Sequence, residues 1–552
     1  MTRSQFFQHF DLLADQPDAV AKMRELVLQL AVRGQLVEQN SKDEPAQKTV
    51  ERARQAWPEW KVRERLKAER QAPPHPLPSA WAWTCLDEIG DTNPRNEADD
   101  KLEVGFAPMK LISAGYGEPV SFEAKRWAEV KKGFTHFADG DVVLAKITPC
   151  FENGKSAVIR NANNGIGAGT TELHVFRQYS GCVLPDYVLI FLKSPRFISD
   201  GFPRMTGSAG QKRVPWDYFA NTPFPLPPLA EQRRIVAKVE ELMALCDELA
   251  ARQQARHAAR AQLQQSALHH LLAARDPHTF APAWQRVRDQ FHLLHDIPDA
   301  IPQLRQAILQ LAVQGRLVPQ NAKDEDGAKL VARLSRQELP DADHVLDEKF
   351  PASWGITAFT NLAQIRSGVT KGRNLAGRKT KSFPYLRVAN VQRGYLDLDV
   401  MKDIEIPLDE LEKFRLRPND LLLTEGGDWD KVGRTAIWRD EIANCIHQNH
   451  VFRARLVSGE LQPEWFMLYF NSPVGRRYFE TAAKQTTNLA SINASELREC
   501  PVPIPPLAEQ KRIVARVEAL LRQCDALAAQ LHQTRTLGAH LLDSTLHHLL
   551  AA

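Results

Sequence analysis

The chain lacks the features of secreted, zinc-binding and membrane-spanning proteins. Its seven cysteines among 552 residues are scattered without a Cys-x-x-Cys pair, so neither a disulfide framework nor a structural zinc site is expected. No apolar run is long enough to cross a membrane. The start, MTRSQFFQHFDLLADQPDA, has no signal-peptide core because polar residues interrupt it. We therefore expect a cytoplasmic protein that makes no membrane contact.

A strong excess of charge is also missing. The formal net charge is +4, which permits nucleic-acid binding but does not demand it, because a dedicated phosphate binder is often more basic. The hydrophobic content of 43% and charged content of 25% are typical of folded globular domains. An electrostatic argument must therefore rest on where lysine and arginine cluster.

Motifs for catalysis are missing as well. The segment Gly154-Lys155-Ser156 resembles the end of a P-loop, but the glycine required five positions earlier is Pro149, which has no N–H to donate to a phosphate. Asn93-Pro94 is not followed by the proline and aromatic residue of amino-methyltransferases. His174 and His450 lie in strand-like runs and are expected to be packed or hydrogen-bonded. The sequence therefore predicts no catalytic residue and no metal site.

What the chain does have is a long internal repeat. PPLAEQRRIVAKVEELMALCDELAA begins at Pro227, and PPLAEQKRIVARVEALLRQCDALAA begins at Pro505. A second pair, LQLAVRGQLVEQNSKDE and LQLAVQGRLVPQNAKDE, begins at Leu28 and Leu309. The chain is therefore two copies of one unit, and a pseudo-twofold pair of surfaces suits a two-fold ligand such as a DNA duplex.

The later repeated blocks predict two long helices. Their apolar residues recur at alternating steps of four and three, which is the seam of a coiled coil, and each block follows a Pro-Pro pair where a helix can begin. These positions are Ile235, Val239, Leu242, Cys246 and Leu249, and then Ile513, Val517, Leu520, Cys524, Leu527 and Leu531. We expect the two seams to pack on each other in antiparallel fashion. The alternative is that each helix packs on its own domain.

The upstream blocks predict a shorter helix that ends near a glycine, Gly34 in the first copy and Gly315 in the second. Each is expected to dock on the ends of the long helices. Between the helical blocks lie two segments with more Gly, Pro, Asn and Thr, in which DVVLAKI and DLLLTEG indicate buried strands. Both segments are expected to form compact α+β domains.

The two segments match only at scattered points. GDVVLAK aligns with NDLLLTE, Gly154-Lys155-Ser156 aligns with Gly433-Arg434-Thr435, and HVFR at His174 aligns with HVFR at His450. Elsewhere they diverge widely. One scaffold carrying two different surfaces explains this pattern, and two such surfaces would recognise two different things.

At this point the chain resembles the specificity (S) subunit of a Type I restriction–modification enzyme. The resemblance is carried by PPLAEQRRIV and PPLAEQKRIV, each closing a variable segment and opening a long helix. GFAPMKLISAG and TGSAGQKRVP in the first segment add to it, as do SGVTKGR, PYLRVANVQRGYLDL and KQTTNLASINASEL in the second. It covers nearly the whole chain.

The resemblance implies an α+β fold class with an internal pseudo-twofold repeat, in which two target-recognition domains are separated by two long antiparallel coiled-coil helices. The expected boundaries are a helical block at 1–71, a first target-recognition domain at 72–228, a long helix and repeated block at 229–349, a second target-recognition domain at 350–506 and a long helix at 507–552. In the family, each domain binds one half of a bipartite, asymmetric DNA sequence, and the helices set the gap between the halves.

The resemblance also implies partners and leaves the chemistry to them. The expected partners are double-stranded DNA, two methyltransferase (M) subunits and motor-nuclease (R) subunits. The chain itself is expected to be non-catalytic and to bind no cofactor, with S-adenosylmethionine, ATP and magnesium held by the partner subunits.

Cationic and amide side chains cluster in turn-rich stretches of both segments, as DNA binding requires. Lysine and arginine suit phosphate oxygens, and arginine, glutamine and asparagine can also grip bases. The SAGQKR and QTTNLAS stretches are expected to face a DNA groove. The predicted DNA-binding residues are Lys110, Lys146, Lys155, Ser208, Gln211, Lys212, Arg213, Lys371, Arg373, Arg387, Lys431, Arg434, Gln485 and Asn488.

Two other functions remain open from the residues alone. The chain can be a non-catalytic coiled-coil scaffold whose variable segments bind proteins, although the basic, amide-rich loops favour DNA. It can also be a single-chain restriction enzyme, which would need methyltransferase and nuclease motifs that the sequence lacks.

Overall fold

The computed structural model describes residue 16, residues 18–57, residue 61 and residues 75–179, 181–208, 210–274, 277–290, 294, 300–335, 348–427, 431–486 and 489–551. The chain divides into two compact units. Unit 1 contains Met1–His257 and Arg535–Ala552, and unit 2 contains Ala258–Thr534. Each long helix therefore begins in one unit and ends in the other.

Unit 1 contains a helical block followed by an α+β domain. Its helices are Ala19–Val32, Ala46–Gln55, Leu86–Ile89, Trp127–Val130, Pro185–Leu192, Pro195–Gly201 and Trp216–Asn221. Its strands, β1 to β10 in chain order, are Ala82–Thr84, Gly90–Thr92, Glu103–Ala107, Glu123–Arg126, Thr135–Ala138, Val142–Ala145, Ser156–Val158, Ile166–Gly169, Leu173–Gln178 and Phe224–Leu226. The sheets have the orders β2-β9-β6-β7 and β4-β3-β8-β5, and β1 pairs with β10.

Unit 2 repeats this organisation. Its helices are Pro277–Asp289, Ala300–Val313, Gly327–Leu334, Leu411–Phe414, Pro463–Asn471, Pro473–Ala482 and Ala494–Glu499. Its strands, β11 to β22, are Gly355–Ala358, Ala363–Arg366, Thr380–Leu386, Lys402–Pro407, Leu421–Thr424, Gly426–Gly427, Thr435–Ile437, Ile446–His447, Val451–Leu456, Lys484–Thr486, Leu489–Ser491 and Pro501–Ile504. The sheets have the orders β12-β19-β15-β17, β14-β13-β18 and β16-β21-β20, and β11 pairs with β22.

The two long helices span Leu229–Ala273 and Leu507–Ala551. The residues of their predicted seam are buried or half-buried, but they pack on two different surfaces. In unit 1, Ile235 packs into the core of the α+β domain, whereas Cys246 packs with Leu542 and Leu549 near the end of the second long helix. In unit 2, the end of the first long helix contributes to the cluster that holds the start of the second. The start of one helix thus meets the end of the other in each unit, as antiparallel helices require.

The short helix of each helical block ends at a glycine, which confirms the prediction. Gly34 has φ +68°, and after Ala19–Val32 the N–H of Gln35 donates to the Leu30 carbonyl at 3.0 Å, as in a Schellman motif. Gly315 has the same φ and follows Ala300–Val313 in the same way. A Cβ at Gly34 would also lie 2.6 Å from the Pro78 ring, so the turn requires glycine for its φ and for space.

The repeated PPLAEQ segment anchors the start of each long helix to its own unit. In unit 1 the buried Glu231 carboxylate accepts a hydrogen bond from the Gln39 amide at 2.7 Å, and Gln232 donates to the Pro227 carbonyl at 3.0 Å. The equivalent bonds of unit 2 involve Gln320, Glu509, Gln510 and Pro505. Burial raises the pKa of both glutamates. The two copies therefore share the same residues and hydrogen bonds at the junction of the long helix, the helical block and the α+β domain.

A buried ion pair marks the shared scaffold of the two α+β domains. Arg177 donates two hydrogen bonds to Asp141, at 2.8 and 2.7 Å, and Arg455 donates two to Asp420, both at 2.7 Å. Asp141 and Asp420 precede the fully buried strands that DVVLAKI and DLLLTEG predicted. The same buried pair on equivalent strands supports one scaffold in two copies.

One sequence alignment is wrong by two residues. The sequence aligns HVFR at His174 with HVFR at His450, but Val142 pairs with Phe176 in unit 1 while Leu421 pairs with Ala454 in unit 2. The ladder therefore places His174 level with Phe452. A shift of two residues keeps every side chain on the same face of a strand, so the apolar pattern does not reveal it.

The expected environments of both histidines are confirmed. His174 is buried, stacks on Phe219 at 5.0 Å and bonds the Val214 carbonyl through Nε2 at 3.0 Å. Burial lowers its pKa to about 4, so the ring is neutral at physiological pH. His450 is exposed and bonds Glu425 at 2.6 Å.

We predict that Arg177→Met destabilises unit 1 by about 3 kcal/mol at neutral pH, because Asp141 is left buried without its partner. Only 2% of the Asp141 side chain is exposed. Burial already raises the pKa of Asp141 and Arg177 lowers it, so the variant should have a higher pKa still. Because the unpaired carboxylate is costly only when it is ionised, the loss of unfolding free energy is complete above the raised pKa of Asp141. The loss becomes smaller as the pH falls through that pKa and the carboxyl group is protonated. Urea unfolding at neutral and acidic pH measures both effects.

The matched control is Arg160→Met. Arg160 pairs with Asp186 at 2.6 Å, but 56% of its side chain is exposed, so its loss should cost less than about 1 kcal/mol. Equal losses for the two variants would contradict the assigned role of the buried pair.

Candidate nucleic-acid interface

The SAGQKR stretch forms a hairpin-like loop in the first α+β domain. Thr206 and Ile147 each form an antiparallel bridge with Arg213. Gly207 and Gly210 have φ values of +128° and +77°, which the tight loop requires. Three predicted DNA-binding residues are exposed on this loop: Ser208, Gln211 and Lys212.

The QTTNLAS stretch occupies the matching place in the second domain, as predicted. Lys484–Thr486 pairs with Leu489–Ser491, which also pairs with Gly426–Gly427. Gln485 lies in the first of these strands, while its side chain and the whole of Asn488 lie outside the described residues. We call residues 206–213 and 484–491 the reading hairpins. Their contact with a DNA groove stays a prediction.

Both reading hairpins are fixed through backbone atoms to the end of a buried strand. The Val214 N–H donates to the Lys146 carbonyl at 2.8 Å, and the Ile492 N–H donates to the Glu425 carbonyl at 2.9 Å. These bonds place Lys146 and Glu425 at equivalent positions beneath the hairpins. The attachment does not depend on which side chains the two residues carry.

In the first domain, the base of the hairpin holds two cations and one carboxylate. Arg213 donates two hydrogen bonds to Glu172, both at 2.8 Å, and this pairing raises the pKa of Arg213 and lowers that of Glu172. Lys146 is half-buried beside them, and burial lowers its pKa. Arg213 is therefore held by Glu172, while Lys146 interacts electrostatically with both residues.

The segment that resembles a P-loop has a structural role in both domains. Lys155 donates from Nζ to the Met109 carbonyl at 3.3 Å, and the corresponding Arg434 donates to the Gln392 side chain at 2.8 Å. The N–H of Gly394 also bonds the Thr435 carbonyl at 2.9 Å. These cations thus hold the loop that follows strand β3 or β13.

The remaining predicted residues are spread around the domains. Lys110 exposes 74% of its side chain and lies 3.5 Å from Glu123. Arg373 pairs with Glu410 at 2.7 Å, and Arg387 donates to the Val400 carbonyl at 2.8 Å. Lys371 is exposed and Lys431 is half-buried. The structure therefore brings together the hairpin residues and Lys146, while Arg373 and Arg387 are held by their own domain.

Among the residues described, no cluster of His, Cys, Asp or Glu has the geometry to hold a metal ion. None of the helices in the described part of the chain is long and apolar enough to cross a membrane.

The comparisons with known proteins agree with this geometry. The family described as the type I restriction modification DNA specificity domain matches residues 78–256 and 351–534, which is one match for each α+β domain and the start of the helix that follows it. This chain belongs to that family. The specificity subunit matches the EcoEI specificity subunit of Escherichia coli with 34% identity, covering 95% of this chain and 93% of the relative.

A second relative supports the assignment, and a solved structure supports the fold. The EcoAI specificity subunit of Escherichia coli is 33% identical, with 95% of this chain and 93% of that protein covered. A solved structure from a study of complex assembly and conformational transition of the type I R-M system aligns with a TM-score of 0.50 and 19% identity, covering 86% of this chain and 99% of that one. At that identity the structural match supports the fold alone.

Sequence reasoning missed one pair of residues in this specificity subunit. Glu425 and His450 lie 2.6 Å apart at the strand end to which the second reading hairpin is bonded, and neither is among the DNA-binding residues that the sequence predicts. A signal was present, because GDVVLAK aligns Lys146 with Glu425. A carboxylate at this position lacks the positive charge or amide group by which DNA-binding residues are predicted from sequence.

Proposed function

We propose that this specificity subunit reads a bipartite, asymmetric stretch of duplex DNA, one half with each α+β domain. The observation that carries the proposal is the pair of reading hairpins, which are fixed to equivalent strands by equivalent backbone bonds but carry different side chains. A common frame that carries different side chains supports recognition of two different half-sequences.

The long helices suit the role of a spacer between the two half-sites. Each is continuous for 45 residues and contributes to both units. Their ends and the helical blocks are also where we expect two methyltransferase subunits to dock, with restriction subunits joining the assembly. The relatives are named as specificity subunits of type I restriction enzymes, which supports such an assembly.

The chemistry would then belong to the partners. We propose that the specificity subunit is non-catalytic and cytoplasmic, and that S-adenosylmethionine, ATP and magnesium bind the partner subunits. Methylation or cleavage of DNA by the isolated chain, with these cofactors added, would contradict this division of labour.

We expect the complex of this chain with its methyltransferase partner to bind target DNA with an affinity that falls steeply with salt. Each phosphate neutralised by a lysine or arginine should contribute roughly −0.9 to the slope of log K against log salt concentration. Lys212→Gln, on the exposed part of the first hairpin, should reduce the magnitude of that slope by about 0.9 if Lys212 contacts one phosphate. Fluorescence anisotropy over a salt series measures the slope.

Lys48→Gln is the matched control. Lys48 is an exposed lysine on the helix Ala46–Gln55 of the helical block, outside both reading hairpins. Its slope should equal that of the parent protein. An affinity that stays flat from low to physiological salt in all three proteins would contradict DNA binding by this surface.

A further inference from the structure

Where each reading hairpin joins its domain, one acidic and one basic side chain lie together. The positions of the acidic and the basic residue are exchanged between the two domains. At the end of the buried strand, the first domain has Lys146 and the second has Glu425. Next to the start of the neighbouring strand, the first domain has Glu172 and the second domain has His450. Lys146 of the first domain thus occupies the position that Glu425 occupies in the second domain.

Backbone hydrogen bonds establish this equivalence without reference to side chains. The Lys146 N–H donates to the Glu172 carbonyl at 2.9 Å, and the Glu425 N–H donates to the His450 carbonyl at 3.0 Å. The hairpin bonds from Val214 and Ile492 to the same two strand ends complete the match. The difference is therefore one of side-chain chemistry at a fixed place.

The third residue of the cluster also differs. Ile147 bridges Arg213 in the first domain, and Gly426 pairs with Ser491 at the same place in the second. Arg213 occupies both oxygens of Glu172, so Lys146 is the member of the first cluster that remains to donate to DNA. Ser491, which takes the place of Arg213 in the second domain, has a single hydroxyl and cannot occupy both oxygens of a carboxylate as Arg213 does.

In the second domain the carboxylate is placed to accept. Glu425 is 29% exposed and His450 is 53% exposed. His450 Nδ1 bonds Oε2 of Glu425 at 2.6 Å, and within the described residues Oε1 accepts no hydrogen bond. The histidine thus orients one carboxylate oxygen of a partly exposed side chain, and the other oxygen is left to accept.

Base edges in the major groove distinguish these two chemistries. Guanine presents two acceptors, O6 and N7, which suit a lysine, whereas cytosine presents its N4 amino group, which suits a carboxylate. Adenine offers an amino group beside the N7 acceptor, which repels a carboxylate. A lysine and a glutamate at the same place therefore favour different bases.

We propose that this exchanged pair is a base-reading position, at which Glu425 accepts from the amino group of a cytosine in the second half-site and Lys146 donates to a guanine in the first. The inference rests on the proposed function and deepens it, because it names the bases and the groups that meet them. His450 acts as a positioning residue that orients the Glu425 carboxylate.

The test uses the full chain in complex with its methyltransferase partner and a DNA library with one half-site fixed and the other randomised. For the parent protein we expect cytosine to be preferred at one position of the second half-site. Glu425→Gln should reduce that preference by about tenfold or move it to adenine, since an amide grips adenine N6 and N7. Glu425→Lys should move it to guanine, and the first half-site should be unchanged in both variants.

A reciprocal variant and a control separate base reading from stability. Lys146→Glu should change one position of the first half-site only. Glu412→Gln removes a carboxylate that pairs with Arg415 at 2.9 Å elsewhere in the second domain, and it should leave every base preference as it is. Thermal unfolding of each variant identifies any that fail to fold.

The outcomes also distinguish this inference from the proposed function. Variants that fold, bind and keep the parent preference at every position would overturn the base-reading role, and so would a uniform loss of affinity for all sequences. A parent complex with no sequence preference in either half-site would instead overturn the proposed function, before any variant is made.

Discussion

Replacing residues 72–228 with the corresponding domain of a relative is expected to change one half of the DNA target and to leave the other half unaltered. The physical reason is that the domain is a closed insertion. Strand Ala82–Thr84 pairs with Phe224–Leu226 in antiparallel register, which brings the start and end of the domain together. If the chain is joined outside this pair of strands, the two junctions with the helical blocks stay the same distance apart after the exchange.

The measurement is a genome-wide map of methylated adenines in cells that carry the chimaera and its partner subunits. We expect a gapped motif in which one half is new and the gap is unchanged. The matched control is exchange of residues 350–506, whose ends are paired in the same way by Gly355–Ala358 and Pro501–Ile504. It should change the opposite half. A new sequence in both halves after a single exchange would show that the domains do not read independently.

Removing one heptad from both long helices should shorten the tolerated gap between half-sites by about three base pairs and leave each half-sequence as it was. Seven residues of helix are about 10.5 Å long, and successive base pairs rise by about 3.4 Å. Residues 252–258 and 530–536 are the choice for removal because they are mostly exposed. Both helices must be shortened, since each unit contains the start of one and the end of the other.

The control deletion removes five residues from each helix instead of seven. Seven residues rotate the rest of the helix by only about 20°, whereas five rotate it by about 140° and turn the apolar seam away from its partners. The five-residue variant should lose assembly and DNA binding. Band-shift assays on duplexes with graded gaps compare the variants. A heptad variant that keeps the parent gap, or one that reads altered half-sequences, would contradict the spacer role.

Much of the helical frame could be predicted because its signals are local. The alternating seam, the Pro-Pro pair and the glycines at 34 and 315 each fix an element within a few residues, and the structure confirms all three. What periodicity could not say is which surface each part of the seam covers. Ile235 packs on its own domain and Cys246 packs with the other long helix, although both satisfy the same repeat.

The candidate interface was harder to predict because the contacts that hold it together join residues that are far apart in sequence. Arg213 and Glu172 are separated by 41 positions, and nothing in either segment alone reveals that they form an ion pair. The two-residue error at HVFR has a related cause. Strand neighbours two positions apart share a face, so composition is a weak guide to register, whereas the ladder of hydrogen bonds determines it.

The backbone attachment of the reading hairpins also bears on how new specificities arise. Since the bonds from Val214 and Ile492 use main-chain carbonyls, mutation at positions 146 or 425 can alter what is presented to a base without detaching the loop. Substitutions there should therefore be tolerated by folding far more often than substitutions at Asp141 or Glu231, which are buried. Under the proposed base-reading role, point mutation at these two positions would change the DNA target while the repeated helical frame keeps its sequence.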